Sequence, residues 1–418
     1  MNEKEKAILV GVNLNNQESF EYEMQELANL AHACGFEVSG KITQKIKRIS
    51  SSHYIGKGKI SEIISMSDEK ETDTIIFNDE LTPSQIRNIE KDIQRRVIDR
   101  TSLILDIFSE RARTKEAQLQ VEIASLQYML PRLIGLRESL GRQVSGVGLS
   151  VRGAGEKKLE LDRREIEKKI SVLNRELEKL TAHRKTQRKR RKKMNMPVAT
   201  IVGYTNAGKS TLMNAMLELF KENENKPVFE EDMLFATLQT SVRSIKMPDN
   251  KKLLLTDTVG FVSKLPHYLI KAFRSTLEEV KEADLLIHVV DYSNPEYEKQ
   301  INITNATLKE LGVNDIPMIY AYNKTDLLDI TIPMIKNNTI YLSAKNRIGI
   351  NELLNMACNN LFNDYIRCEM LIPYDCGGYV SYFQENANVL SMQYETEGIK
   401  IAMECKIDDF KRYSKYVI

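Results

Sequence analysis

The segment that most constrains the fold of this chain is GYTNAGKST, residues 203–211. A run rich in β-branched residues, PVATIV, precedes it, and the apolar spacing of a helix continues after it. Glycines allow several backbone N–H groups to point into one cavity, and a helix N-terminus adds the positive end of its dipole. Lys209 can reach β- and γ-phosphates, and the Ser210 hydroxyl suits Mg²⁺. The segment predicts a phosphate-binding loop, although one such match also occurs by chance in glycine-rich turns.

Three further motifs follow this loop, each at the end of a predicted strand. DTVG, residues 257–260, offers a carboxylate for a Mg²⁺-bound water and a glycine N–H for a γ-phosphate. NKTD, residues 323–326, ends in an aspartate that can accept two hydrogen bonds from guanine, a pair that adenine cannot supply. SAK, residues 343–345, can present a backbone N–H to the guanine carbonyl. The order of the four motifs predicts a GTP-binding domain with a doubly wound α/β sheet.

The N-terminal region also has an α/β pattern. Strands are predicted at residues 7–12, 36–42 and 74–77, and a helix at 19–33. Thr82 and Pro83 have the pattern of an N-cap and first residue of another helix. The glycine-rich segment YIGKGK, residues 54–59, lacks a complete phosphate-loop pattern, so we interpret it as a structural turn. The alternative is an ATP site of an RNA-remodelling protein.

Two long helices are predicted between these regions, because apolar residues step by three and four, as in a coiled coil. They are Leu119, Ile123, Leu126, Leu130 and Leu133 in the first helix, and Ile166, Ile170, Leu173, Leu177 and Leu180 in the second. Residues 141–155 contain five glycines, which predict a non-helical, pliable tip carrying Arg142 and Arg152. The expected structure is an antiparallel hairpin whose second helix, residues 156–193, is about 55 Å long.

Charge is unevenly distributed along the chain. Charged residues make up 28% of the sequence, yet the net charge is only +2, so the whole chain is not a general polyanion binder. Eight of the ten residues in RKTQRKRRKK, residues 184–193, are basic. Two interpretations stay open: this run is a solvated helix end, or it contacts nucleic acid or another polyanion.

The cysteines and histidines indicate neither a metal cluster nor a disulfide framework. The five cysteines lack C-x-x-C spacing, and the five histidines are scattered. No apolar stretch approaches the roughly 20 residues needed to span a bilayer. We therefore expect a soluble, cytoplasmic protein without a membrane span.

The length of 418 residues is too great for one compact core. The expected fold class is α/β, in four parts. These are an N-terminal α/β domain (1–115), a helical hairpin arm with a polybasic end (116–195), a P-loop GTPase domain (196–363) and a small C-terminal α+β domain (364–418).

The sequence resembles the HflX-type, ribosome-associated GTPases over nearly its whole length. The segments that carry the resemblance are HYIGKGK, VIDRTSLILDIFSERARTKEAQLQVEIASLQYMLPRL, GYTNAGKST, LFATL, DTVGF and AFRSTLEEV. The resemblance implies binding to the large ribosomal subunit (50S), the 70S ribosome and ribosomal RNA. It also implies splitting of stalled ribosomes, with the arm tip near the peptidyl-transferase centre. We expect a monomer.

The resemblance also assigns the site residues. The nucleotide-binding residues are Asn206, Ala207, Gly208, Lys209, Ser210, Thr211, Asp257, Gly260, Asn323, Lys324, Asp326, Ser343, Ala344 and Lys345. Lys209, Thr237 and Gly260 are the catalytic candidates, and Ser210, Thr237 and Asp257 are the candidates for Mg²⁺. GTP and Mg²⁺ are the implied cofactors, and Asn206 stands where some P-loop GTPases hold K⁺. Phe261 stands where many other GTPases of this fold have a glutamine that orients water, so intrinsic hydrolysis should be slow.

Two segments depart from the family pattern. The usual tip resembles GIGTRGPGETQLE, and here it reads GLSVRGAGEKKLE; the usual FATLDPTTR of switch I here reads FATLQTSVR. The changed positions are Ser150, Val151, Ala154, Lys157, Lys158, Gln239 and Thr240. Neutral drift and a divergent member that protects ribosomes against antibiotics are both open. Two other functions also stay open: a GTP switch that recruits a protein partner, and a large-subunit assembly or RNA-remodelling factor that does not split ribosomes.

Overall fold

The computed structural model describes residues 5–15, 17, 19–143, 149–193, 196–220, 235, 241–247, 249–266, 268–269 and 279–418. For the helical residues 134–143, 149–159 and 183–193, the description covers only the path of the backbone. Within these ranges the chain forms three β-sheets, each accompanied by helices. The predicted α/β fold class is therefore confirmed.

The N-terminal sheet is parallel and has the strand order β2-β1-β3-β4. Its strands are β1 (Lys6–Leu14), β2 (Glu37–Ile46), β3 (Thr74–Phe77) and β4 (Arg96–Asp99). Its helices are α1 (Phe20–Ala33), α2 (Lys57–Lys70), α3 (Pro83–Ile93) and α4 (Arg100–Arg111). The predicted cap is confirmed, because the Thr82 hydroxyl accepts a hydrogen bond from the Gln85 backbone N–H at 3.3 Å. The glycine-rich segment at 54–59 runs into α2, with Gly56 as its N-cap residue.

The predicted hairpin is formed by α5 (Lys115–Gln143) and α6 (Leu149–Lys193). Ion pairs cross between the two helices from Lys115 to Glu176 at 3.9 Å and from Lys169 to Glu122 at 2.7 Å. Both pairs have the same sum of residue numbers, as an antiparallel register requires. The apolar seam is confirmed for seven of the ten predicted positions, which form one cluster: Leu119, Leu126, Ile123, Ile170, Leu173, Leu177 and Leu180.

The predicted non-helical tip is wrong for most of its length. The backbone is helical as far as Gln143 and again from Leu149, so both Arg142 and Arg152 belong to helices. Residues 144–148 lie outside the described part of the chain. A glycine inside a helix costs about 1 kcal/mol relative to alanine, and a long helix that is already formed propagates through such a position. The second helix has 45 residues and a length of about 68 Å, longer than expected.

The central sheet has the order β10-β11-β9-β8-β5-β7-β6, with antiparallel edge strands β6 and β10 and parallel strands between them. The strands are β5 (Val198–Gly203), β6 (Ser241–Lys246), β7 (Lys252–Asp257), β8 (Leu285–Asp291), β9 (Met318–Asn323), β10 (Met334–Lys336) and β11 (Thr339–Tyr341). The described helices are α7 (Lys209–Glu218), α8 (Tyr297–Glu310) and α9 (Ile350–Leu361). Apolar residues of α7 and α9 pack on one face of this sheet.

The C-terminal sheet is antiparallel, with the order β12-β14-β13. Its strands are β12 (Tyr365–Ile372), β13 (Asn388–Glu395) and β14 (Gly398–Lys406), and its helices are α10 (Gly377–Asn386) and α11 (Ile407–Arg412). It has its own apolar core around Phe383 and Met403. An ion pair from Lys251 to Glu404 at 3.0 Å joins it to the central sheet.

The N-terminal and central sheets are joined through a shared apolar core. Buried residues of α1 and α4, such as Leu27 and Phe108, belong to the same cluster as Val202 and Phe261 of the central region. The N-terminal and central regions therefore share one continuous apolar core. Among the described helices, none combines the length and apolar character needed to cross a bilayer.

Candidate nucleotide-binding site

The predicted motifs meet at one edge of the central sheet. Strands β5, β7, β8 and β9 are parallel, so their carboxyl ends lie at the same edge. Gly203, Asp257, Asp291 and Asn323 are the last residues of these strands. In open α/β sheets this edge is where ligands bind.

The loop after β5 has the backbone that close packing around phosphate requires. Gly208, at the N-terminus of α7, has a φ of +91°, and a Cβ there would lie 2.3 Å from Asn323 Nδ2. Asn206 is also in the left-handed region, with a φ of 59°. Any side chain at Gly208 would therefore clash as well as strain the backbone. Ala207 is buried beside it, and Thr211 is half-buried in the first turn of α7.

Lys209 extends back over the loop. Its Nζ donates hydrogen bonds to the carbonyl oxygens of Tyr204 at 2.7 Å and Gly203 at 3.2 Å. Burial lowers the pKa of Lys209 to about 8, and the Asp257 carboxylate opposes this effect in part. A phosphate bound beside this amine would raise the pKa of Lys209 again.

Asp257 and Ser210 form a donor set that suits Mg²⁺. The Ser210 hydroxyl donates to Asp257 Oδ2 at 2.8 Å, while the buried Oδ1 makes no hydrogen bond to the described residues. Burial raises the pKa of Asp257, and Lys209 opposes that rise. Hard oxygen ligands of this kind, with bound waters and substrate phosphates, are what Mg²⁺ prefers. An orphaned carboxylate oxygen next to a serine hydroxyl therefore fits the cation.

The DTVGF segment is attached directly to the phosphate loop. The Phe261 N–H donates to Gly203 O at 3.1 Å, and the Thr205 N–H donates to Phe261 O at 2.7 Å. A Cβ on Gly260 would lie 2.8 Å from the backbone Cα of Thr205 and 2.9 Å from Lys209 Nζ, so the close approach to the phosphate loop requires glycine. The Phe261 ring is buried in the core shared with the N-terminal region. It cannot orient a water molecule.

The NKTD and SAK segments are locked to each other and to the phosphate loop. Asn323 Nδ2 donates to Ala207 O at 2.9 Å, and the Ala344 N–H donates to Asn323 Oδ1 at 2.9 Å. The Ser343 hydroxyl donates to Asp326 Oδ1 at 2.6 Å, which holds one oxygen of that carboxylate. These bonds fix the relative positions of the predicted phosphate and guanine subsites.

The two lysines of these segments have different surroundings. Lys324 makes an ion pair with Asp291 Oδ2 at 2.9 Å, so its aliphatic stem is held at the end of β8. Lys345 is exposed on the loop that carries Ala344. Asp291 was not among the predicted site residues; its position at the end of β8 was the signal that could have identified it.

Family models match most of the chain. Residues 21–109 match the GTP-binding GTPase N-terminal region, residues 111–191 the GTP-binding GTPase middle region, and residues 198–324 the 50S ribosome-binding GTPase. The chain is 45% identical over 416 residues to the GTPase HflX of Caldanaerobacter subterraneus subsp. tengcongensis, covering 100% of this chain and 94% of the relative. The chain belongs to the HflX family of GTPases.

A second curated relative also matches nearly the whole chain. The GTPase HflX of Alkalihalophilus pseudofirmus is 46% identical over 396 residues, which cover 94% of this chain and 91% of the relative. A GTP-binding protein from Sulfolobus solfataricus in complex with GDP is 24% identical, with a TM-score of 0.45, and covers 85% of this chain and 98% of its own. The family membership confirms that the protein is a GTPase and that its site takes a guanine nucleotide.

Thr237, the predicted switch I ligand, lies outside the described residues, as do the changed positions Gln239 and Thr240. Every other predicted site residue lies along the same edge of the sheet. Tyr204, inside the phosphate-loop segment, and Ser263, two residues after DTVGF, were not among the predicted site residues, although their side chains bond to the N-terminal region. Only their proximity to the motifs could have singled them out.

Proposed function

We propose that this HflX-family GTPase binds the 50S subunit and uses GTP to split or rescue stalled 70S ribosomes in the cytoplasm. The arm enters the large subunit near the peptidyl-transferase centre, and ribosomal RNA is its main contact. The observation that carries the proposal is the hairpin. A match to a 50S ribosome-binding GTPase model supports the same partner.

The hairpin has the form of a probe that is supported at its base. Arg132 of α5 binds Asp99 Oδ2 at 2.9 Å and Leu81 O at 3.3 Å, which fixes the arm to the N-terminal sheet. Beyond Arg132, α5 continues to Gln143, a further distance of about 16 Å. RNA is recognised largely by shape and through its backbone, for which a narrow, rigid and basic element is suited.

The residues of the nucleotide site have distinct roles in binding phosphate, Mg²⁺ and guanine. Lys209 neutralises phosphate charge, and the Gly260 N–H meets the γ-phosphate. Ser210 and Asp257, together with Thr237, would hold Mg²⁺, which supplies charge neutralisation between the β- and γ-phosphates. Asp326 and a backbone N–H of the segment 343–345 read the guanine edge, while the Ala344 N–H is bonded to Asn323 Oδ1. These roles rest on the positions of the residues in the family motifs and on the geometry described above.

Hydrolysis is slow in the free protein because Phe261 is buried and cannot position water. The ribosome completes the site. This is tested by measuring GTP hydrolysis with and without 50S subunits. Equal rates in both samples would contradict the assignment.

Asn206 is the residue through which K⁺ would act. It has a left-handed backbone and an exposed side chain at the lip of the phosphate loop. If K⁺ binds there, replacing K⁺ with Na⁺ slows hydrolysis. Equal rates in the two salts would remove K⁺ from the proposal.

The main experiment incubates 70S ribosomes with the protein and GTP, GDP or a non-hydrolysable analogue, followed by a sucrose gradient. We expect free 50S and 30S subunits with GTP or the analogue, and intact 70S with GDP. Binding to 50S without any rise in free subunits would favour an assembly or remodelling factor. No co-sedimentation under any nucleotide would favour a switch that recruits a protein partner.

The altered tip offers a finer form of the proposal, in which the protein protects ribosomes against drugs near the peptidyl-transferase centre. Restoring the family's usual residues should then preserve splitting and abolish protection of growing cells. The positions to restore are Ser150, Val151, Ala154, Lys157 and Lys158. Unchanged protection after restoration, or none in the original protein, would contradict this form and leave the splitting proposal intact.

A further inference from the structure

A buried carboxylate of the N-terminal region bonds to two segments of the GTPase centre. Glu26 of α1 is only 4% exposed. Its Oε1 accepts a hydrogen bond from the hydroxyl of Tyr204, in the phosphate loop. Its Oε2 accepts one from the hydroxyl of Ser263, which follows DTVGF. One side chain from α1 therefore holds both the phosphate loop and the segment that carries Gly260.

Arg100, the first residue of α4, completes this network. Its Nη2 pairs with Glu26 and also donates to Ser263 Oγ at 2.9 Å and Ser263 O at 3.2 Å. Its Nη1 donates to Asn78 Oδ1 at 3.0 Å. The guanidinium is 1% exposed. The buried Arg100 guanidinium therefore helps to fix the position of Ser263 and makes no surface contact.

Tyr204 links the two segments a second time. The Ser263 backbone N–H donates to the Tyr204 hydroxyl at 2.7 Å. Burial, followed by the charge of Glu26, raises the pKa of Tyr204, so its hydroxyl keeps the proton that it donates to Glu26. Each member of the network therefore has a defined donor or acceptor role.

A buried ion pair is weak evidence for stability, because desolvation offsets much of the attraction between the charges. Its better-attested role is to select one arrangement over others. In this network, the Glu26–Arg100 pair selects one position of Ser263, which lies three residues after Gly260. Gly260 in turn lies against Lys209 Nζ, since a Cβ there would be 2.9 Å from that atom.

The other half of α4 contacts the segment before Thr237. The rings of Phe108 and Phe235 pack edge to face, with centroids 4.7 Å apart and an interplanar angle of 81°. Both rings are buried. The same helix ends at Arg111, and the arm helix α5 begins at Lys115. One helix thus contacts both the segment after DTVGF and the segment before Thr237, and it leads directly into the arm.

We propose that Glu26 and Arg100 are positioning residues of the GTPase centre. Through Ser263 they determine the position of Gly260, and through α4 they couple a movement of Gly260 to the arm. This inference rests on the proposed placement of the γ-phosphate at Gly260. When the γ-phosphate accepts a hydrogen bond from the Gly260 N–H, the hydrogen bonds between Arg100 and Ser263 change, and α4 shifts together with α5. Because coupling is reciprocal, an arm seated on the ribosome alters Gly260 in return.

The test uses the full-length protein without ribosomes. Tyr204→Phe and Ser263→Ala each remove one hydroxyl and preserve the Glu26–Arg100 pair, so the fold should survive, which a melting curve checks. In the unaltered protein, amide hydrogen exchange across residues 100–128 should differ between GDP and a non-hydrolysable GTP analogue. In both variants this difference should disappear, and the ratio of analogue to GDP affinity should change at least fivefold.

Lys299→Ala is the matched control. Lys299 joins α8 to the N-terminal region through Ser19 Oγ at 2.7 Å and Glu23 Oε1 at 3.3 Å, and its amine contacts none of the four network side chains. The other oxygen of Glu23 keeps its ion pair with Lys264 at 2.8 Å in this variant, so the segment after DTVGF is not released. It should leave the exchange difference and the affinity ratio unchanged. The inference is overturned if the unaltered protein shows no exchange difference, if the variants retain it, or if Lys299→Ala has the same effect. Failure of ribosome splitting would leave these readouts untouched, whereas absence of GTP binding would defeat the proposed site itself.

Discussion

At the scale of single residues, we propose that Asp326 selects the base. Asp326→Asn should weaken GDP and GTP binding by roughly 100-fold or more, because two charge-assisted hydrogen bonds to guanine are lost. Binding of xanthine nucleotides should improve, since an amide can donate to the xanthine carbonyl. Titration with fluorescent GDP and XDP measures both effects.

The structure provides a check on folding for this variant. Ser343 donates to Asp326 Oδ1, and an asparagine oxygen can accept the same bond. The variant should therefore melt close to the temperature of the unaltered protein. Unchanged GDP affinity in a correctly folded variant would show that Asp326 does not read the base.

Lys209 should make nucleotide binding depend on pH. Its pKa is lowered to about 8 by burial, and a bound phosphate raises it again. Binding then takes up a proton when the free amine is neutral, so affinity is complete below pH 8 and falls as the pH rises above it. Between about pH 7 and about pH 8.5 the GDP dissociation constant should increase roughly fourfold.

Lys209→Arg is the control for this effect, because a guanidinium keeps its charge across this range. It should bind GDP more weakly, and its dissociation constant should stay constant with pH. A flat profile in the unaltered protein would mean that the Lys209 amine is fully charged in the free site.

At the scale of elements, the arm tip shows what glycines do inside a long helix. Because Gly153 is helical, Gly153→Ala should stabilise that turn by about 1 kcal/mol, and amide exchange across residues 149–159 should slow roughly fivefold. Gly35→Ala is the contrasting variant, since the φ of Gly35 is +82° and alanine is strained there. It should lower the melting temperature. Unchanged or faster exchange in Gly153→Ala would show that this segment is not helical.

The sequence predicted elements well where the signal is local. Each GTPase motif follows a buried apolar run, so the ends of β5, β7, β8 and β9 were predictable to within a residue or two. Strand β4, Arg96–Asp99, was missed because only its two central residues are apolar, which is too short a run to indicate a strand. Glycine content predicted a break in the arm, but the cooperativity of a 45-residue helix outweighs the cost of its glycines.

The contacts between regions could not be predicted, for a different physical reason. Glu26 bonds to Tyr204 and Ser263, which are 178 and 237 residues away in the chain. Local pattern carries no information on such pairings. An acidic residue in an amphipathic helix is most often solvent-exposed, so Glu26 gave no sign of its burial.

At the scale of the whole molecule, the arm is where ribosome splitting should separate from GTP binding. The hairpin seam and the Arg132–Asp99 ion pair lie toward its base, so changes near the tip should leave the fold intact. Replacing residues 142–154 with a short Gly-Ser linker should leave nucleotide affinity near normal. It should abolish splitting of 70S ribosomes on sucrose gradients, because the part that reaches into the large subunit is gone.

Neutralising the basic residues in 188–193 is the matched comparison, because it removes charge at the opposite end of α6 and spares the tip. Phosphate contacts contribute affinity that falls steeply with salt, but they do not specify where the protein acts. This variant should bind ribosomes more weakly, with a shallower salt dependence, and should still split the 70S particles that it occupies. The tip-replaced protein should show the reverse: binding with the original salt dependence and no splitting. If the tip-replaced protein splits 70S ribosomes at the normal rate, the hairpin is a structural strut, and the force for splitting must come from the domains at its base.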